Sequence, residues 1–146
     1  MKIFIDGSAG TTGLRIKDRL MKRSDVELTT LSEEQRKDTE SRKQALNSAQ
    51  VAFLCLPDAA AVEAVELVEN PDTVIIDTST AHRTSEGWAY GFPELSAEFE
   101  DKIKNSKRIA VPGCHAGGFI ALVYPLVEAG VLGNDALLNC YSLTGY

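Results

Sequence analysis

The apolar residues of this chain fall into short runs separated by glycine-rich and polar joints. Lys2-Ile3-Phe4-Ile5 predicts a short buried strand, and Gly7 to Gly13 make a glycine-rich turn behind it. Leu14 to Arg23, with Leu14, Leu20 and Met21 set among Lys and Arg, reads as a helix. Val26 to Leu31 predicts a second strand. Ser32 to Asp38 is polar and loop-like, and a short helix is expected over Ser41 to Ser48. Val51 to Leu56 is the clearest strand. Pro57 and Asp58 end it, and Asp58 is expected to cap a helix through Ala59 to Glu69 by accepting from free helix-start N–H groups. Val74 to Asp77 predicts a fourth strand and Arg108 to Val111 a fifth. Residues 78–106 between them are less regular, with a helix opened by Ser96. The last helix is expected from about His115 to Ala129, interrupted by Pro125 and stopped by Gly130. Leu137 to Tyr146 reads as a further strand.

Strands therefore alternate with helices. Short, β-branched strands without polar alternation point to a parallel sheet covered on both faces. The expected fold is α/β, a doubly wound parallel sheet of the Rossmann type. Residues 1–113 are read as the dinucleotide-binding domain. Residues 114–146 are read as a second helix-led unit, the start of a substrate domain that should continue beyond it. No internal repeat or low-complexity segment is present.

Composition narrows the function classes. With 146 residues, 44% hydrophobic and 25% charged, the chain suits one ordinary globular domain. A net charge of −6 argues against non-specific nucleic-acid binding. No apolar run is long enough for a membrane span, and the N-terminus carries no secretory pattern, which favours the cytoplasm. The three cysteines, Cys55, Cys114 and Cys140, have neither the spacing of a disulfide framework nor that of a zinc site.

Two places carry candidate chemistry. The first is Gly7-Ser8-Ala9-Gly10-Thr11-Thr12-Gly13, a G-x-x-G-x-x-G turn between strand and helix. Its glycines let the backbone approach a phosphate, and the helix start offers N–H groups to a pyrophosphate. Ser8, Thr11 and Thr12 add hydroxyl donors. Beyond the second strand, Ser32, Arg36 and Lys37 could receive the 2′-phosphate of NADP, although Glu33 and Glu34 share the loop. A solvated mixed-charge loop is the competing reading.

The second place is Pro112-Gly113-Cys114-His115-Ala116-Gly117-Gly118, where a strand ends and a helix begins. Helix-start amides stabilise a thiolate and an oxyanion on an acyl group attached to it. Burial as a small hydrophobe suits Cys55 and Cys140, but not Cys114. His115 adjoins the cysteine and points elsewhere, so it is expected to line the pocket or face solvent rather than serve as base. His82, past the fourth strand, reads as a loop residue. Arg83 and Arg108 are candidates for the substrate carboxylate, and equally for structural ion pairs.

These blocks together resemble N-acetyl-γ-glutamyl-phosphate reductases, particularly their shorter type. The resemblance rests on Gly7 to Gly13, Leu54 to Asp58, Asp77 to Arg83, Trp88 to Glu94, Pro112 to Cys114 and Leu143 to Tyr146. It implies that Cys114 is the nucleophile and NADPH the hydride donor. It adds Pro57 and Ser79 to the cofactor-binding residues. It also implies a homo-oligomer, a small acyl-phosphate substrate, and an acid/base histidine in a domain past residue 146. An aspartate-semialdehyde dehydrogenase shares the cysteine chemistry and is the rival enzyme. A non-catalytic NADP sensor is the rival from another class, and it would need no reactive thiol.

Overall fold

A computed structural model of the chain describes residues 1–133 and 135–143. Six strands lie parallel in one sheet: β1 (Lys2–Asp6), β2 (Glu27–Thr29), β3 (Val51–Leu54), β4 (Val74–Asp77), β5 (Ala89–Tyr90) and β6 (Arg108–Ala110). Their spatial order is β2-β1-β3-β4-β6-β5. Five helices connect or follow them: α1 (Thr11–Leu20), α2 (Thr39–Ser48), α3 (Asp58–Glu66), α4 (Ala97–Asn105) and α5 (Cys114–Glu128). This is the doubly wound α/β architecture expected from the sequence.

The register aligns the ends of the central strands. Asp6 pairs with Leu54, Leu54 with Asp77, and Asp77 with Ala110. One row thus crosses the carboxyl edge of the sheet, and the chain leaves it at Gly7, Cys55, Thr78 and Val111. Phe4, Leu46, Leu54 and Ile75 anchor the core cluster between the sheet, α2 and α3. Burying side chains of this size is worth about 2 kcal/mol each.

Helix starts are finished in two ways. Asp38 caps α2 by accepting from the Ser41 N–H at 2.8 Å, and Ser96 caps α4 through the Phe99 N–H. The starts of α1, α3 and α5 carry no side-chain cap. Asp58 therefore does not cap α3 as expected. It begins the helix and accepts instead from the amide (2.9 Å) and hydroxyl of Thr80. Those bonds hold its carboxyl below the usual carboxylate range.

Three further expectations need correction. β5 was not foreseen, because two residues are too few to show a period. Pro125 does not interrupt α5, which runs through it to Glu128 before Gly130 turns the chain at φ 68°. Residues 135–143 form no strand, since no neighbouring strand pairs with them, and the rest of that run, Thr144 to Tyr146, lies outside the described residues. Among the described residues no helix is long and apolar enough to cross a membrane.

Candidate active site

The turn after β1 is shaped by two of its glycines. Gly7 has φ 84°, and a Cβ there would collide with the Cys55 carbonyl. A Cβ on Gly13 would strike the Gly7 carbonyl, so α1 packs against the turn only through glycine. Gly10 is different: it is extended, and a Cβ would meet nothing closer than 3.6 Å. Behind it lies the uncapped start of α1, with Thr11 and Thr12 exposed. The result is a backbone turn, with Ser8 and Ala9 between Gly7 and Gly10, that leads into free N–H groups at the start of α1.

Asp6, just before the turn, is buried at 3% exposure. The Arg42 Nε donates to its carboxylate at 3.0 Å, and Arg42 Nη1 reaches Glu63 at 3.1 Å. Burial pushes the Asp6 pKa up, and Arg42 pulls it part of the way back. The pair ties α2 and α3 to the end of β1.

Arg36 and Lys37 lie on a single helical turn past β2, Gln35–Lys37, and Ser32 precedes it. The Ser32 hydroxyl accepts from the Gln35 N–H at 3.2 Å and its carbonyl accepts from the Arg36 N–H at 3.0 Å. Arg36 Nε is buried without a hydrogen-bond partner among the described residues, a donor that a phosphate oxygen would satisfy. Pro57 stands exposed at the start of α3.

Cys114 is the first residue of α5 and is exposed. It shares a cavity of about 640 Å³ with Thr12, Thr78, Thr80, Arg83, Pro112 and His115. The cavity thus draws on the ends of β4 and β6 and reaches the glycine turn. Arg83 is anchored, its Nε donating to the Val111 carbonyl at 3.0 Å and Nη2 to the Thr78 carbonyl at 3.3 Å. Arg108 lies elsewhere, bonded to the Thr73 and Lys107 carbonyls at the start of β6. Those bonds hold it at the amino end of the sheet, outside the cavity lining. His115 lines the cavity, with Nδ1 2.5 Å from the Ser142 hydroxyl.

Ser79 is buried, and its hydroxyl donates to Asp77 at 2.6 Å. Asp77 is fully enclosed and also accepts from the Ser79 N–H at 2.9 Å and faces His82 Nδ1 at 2.7 Å. The His82 ring stacks on Trp88 at 4.1 Å. This cluster under the cavity was not anticipated. The one signal for it was an acid closing a strand, followed by hydroxyl residues. Cys55 is half-buried, and burial pushes its thiol pKa up, whereas Cys140 is exposed and not the buried hydrophobe expected.

A family profile described as "Semialdehyde dehydrogenase, NAD binding domain" matches residues 2–105. "N-acetyl-gamma-glutamyl-phosphate reductase 2" of Pseudomonas putida is 52% identical over 144 residues, covering 99% of this chain and 46% of that protein. The "N-acetyl-gamma-glutamyl-phosphate reductase" of Chelativorans sp. is also 52% identical, over 99% of this chain and 47% of its own. The chain thus spans about half the length of these curated relatives. Among solved structures, "Aspartate Semialdehyde Dehydrogenase from Francisella tularensis" superposes with a TM-score of 0.66 at 17% identity, over 89% of this chain and 41% of that one. An aspartate semialdehyde dehydrogenase with NADP from Candida albicans gives 0.61 at 19% identity, over 87% of this chain and 46% of that one. At such identity the structures establish the fold, and the profile establishes the family: this chain belongs to the semialdehyde dehydrogenase NAD-binding domain family.

Proposed function

We propose that this chain is the cofactor-binding and nucleophile-bearing part of an NADPH-dependent N-acetyl-γ-glutamyl-phosphate reductase. The observation that carries the reading is Cys114, exposed at the open start of α5 in a cavity that reaches the glycine turn. The reductase names of relatives at about 50% identity supply the substrate. Residues 1–113 hold the dinucleotide, and residues 114–146 begin the catalytic unit.

The Gly7–Gly13 turn, with Ser8, Ala9, Gly10, Thr11 and Thr12, fits a pyrophosphate, and Ser32, Arg36 and Lys37 fit a 2′-phosphate. Pro57 and Ser79 flank the nicotinamide end, Ser79 through its backbone carbonyl, since its hydroxyl and its N–H both donate to Asp77. The Cys114 thiolate attacks the acyl carbon, the C–O bond to phosphate breaks, and phosphate leaves with its electron pair. Free N–H groups at the start of α5 donate to the carbonyl oxygen as it gains charge. A nicotinamide cofactor, when bound, would supply the hydride that reduces the resulting thioester. The C–S bond then breaks, the semialdehyde departs, and the thiolate is restored. Sulfur serves both steps as nucleophile and leaving group. Arg83 supplies positive charge in the cavity wall for an anionic part of the substrate.

Free cysteines suit a reducing cytoplasm. The exposed apolar side chains of α5 and the following segment, Leu122 at 74% among them, suit a surface covered in a homo-oligomer or by further chain. The test is the reverse reaction, phosphate-dependent NADP reduction by N-acetylglutamate semialdehyde on the protein as its gene encodes it. Turnover should fall at least about a thousandfold in Cys114→Ser with NADP binding retained. A preference for aspartate semialdehyde would instead favour the rival enzyme. NADP binding without either turnover would leave the sensor.

A further inference from the structure

We propose that His82 is a positioning residue that fixes the charge of Arg83 beside Cys114. The idea deepens the cysteine-site reading and takes its substrate from it. Arg83 bonds the Val111 and Thr78 carbonyls through Nε and Nη2. Its remaining nitrogen, Nη1, lies so near Gly113 that a Cβ there would meet it at 2.6 Å. Gly113 immediately precedes Cys114, and all three residues border one cavity. A cation is therefore seated against the turn that presents the thiol.

What holds that cation is the segment after β4. Thr78 Oγ1 donates to the Leu54 carbonyl at 3.0 Å, and Thr80 bonds Asp58. The Thr80 carbonyl also accepts from the Arg83 N–H, but only at 3.5 Å. His82 holds the backbone there more firmly, because it is the preceding residue and is clamped on two sides. Its Nδ1 stands 2.7 Å from the Asp77 carboxylate, and its ring lies flat on Trp88, 11° from parallel. A carboxylate opposite Nδ1 makes that nitrogen the one that carries the proton. Asp77 is wholly enclosed, so losing one of its donors leaves buried charge underpaired and the segment free to shift. The tie from Asp77 to His82 thus extends through one peptide to the guanidinium.

The test reads the charge at Cys114 directly, without turnover. The probes are iodoacetate, an anion, and iodoacetamide, its neutral counterpart, with alkylation assigned to Cys114 by peptide mass mapping. The ratio of the two rates reports positive charge at the thiol. It should fall about threefold or more in His82→Phe, which keeps the ring and loses the donor. His82→Asn, whose amide nitrogen can take the place of Nδ1, should restore most of it. Arg83→Met should lower the ratio alike, and adding His82→Phe to it should change nothing further. Where His82→Phe does not fold, His82→Gln displaces the donor by one carbon and should show the same fall. An unchanged ratio in either variant overturns the proposal, as does an additional loss on top of Arg83→Met. Failure of turnover in the native protein would count against the reductase reading alone, because the ratio remains measurable.

Discussion

The molecule has two glycine-rich strand-to-helix turns, and they use glycine for different reasons. In the turn after β1 the glycines are demanded by backbone: Gly7 has a positive φ, and Gly7 and Gly13 each sit where a side chain would strike a carbonyl. In the turn after β6 the demand is mostly absent. Just past it, in the first turns of α5, a Cβ at Gly117 would meet only Pro112, at 3.6 Å, and one at Gly118 nothing within 4 Å among the described residues. Gly113 alone is pressed, and by a side chain, Arg83. The first turn is therefore a rigid seat, whereas the second is a clearing. Rigidity suits a diphosphate gripped by backbone, and clearance suits a reacting acyl group and a nicotinamide.

The contrast is sharpest at Gly7. Gly7→Ala should cost roughly 4 kcal/mol or more, since strain and collision add at one site. Urea denaturation measures it, and a loss under about 1 kcal/mol would mean that the seat is not rigid.

Next comes the brace behind that turn. Arg42→Met leaves Asp6 as an unpaired buried charge and should cost about 3 kcal/mol near neutral pH. The pH dependence has a definite sign. The folded pKa of Asp6 is raised by burial, so folding favours its protonated form. Stability held by that form is present at low pH and is lost as pH rises from the ordinary carboxylate value through the raised one. Acidification through that window should shrink the penalty of Arg42→Met. Urea midpoints of native and variant protein, followed from neutral to acid, should converge; parallel curves would show that Asp6 bears no such burden.

The smallest effect lies in the second turn. Gly118→Ala fills helix positions with a better helix former and should raise stability by about 0.5–1 kcal/mol. Turnover should nonetheless fall if the clearing is for substrate. A variant both more stable and fully active would erase the distinction between the two turns.

Much of this fold could be read from the chain itself. Runs such as Val74 to Ile76 are short, β-branched and free of polar alternation, and only a sheet covered on both faces buries them. The glycine turn and the cysteine were visible because backbone geometry and helix-start chemistry restrict which residues serve there. What stayed hidden depended on partners distant in sequence. Asp58 looked like a cap, but Thr80 offers it two donors from across the sheet edge. Ser79 was expected among the cofactor-binding residues, and nothing in the sequence shows that its hydroxyl donates to Asp77. Leu137 to Leu143 has the composition of a strand and no strand beside it among the described residues, and β-propensity expresses itself only against neighbours.

Helix α5 contains no buried side chain among the described residues and a single charged one, Glu128. Its tie to the rest of the molecule includes the edge contact of Tyr124 with Phe99, centroids 6.0 Å apart. In the language of cooperative unfolding units, this helix belongs at the weak end of the scale and the β1–β3–β4 row at the strong end. The exposed Cys114 thiol is thus carried by a weakly secured element, at the margin of the most secured one. Its surroundings depend on how firmly α5 is held, while the shape of the glycine turn is set by the sheet.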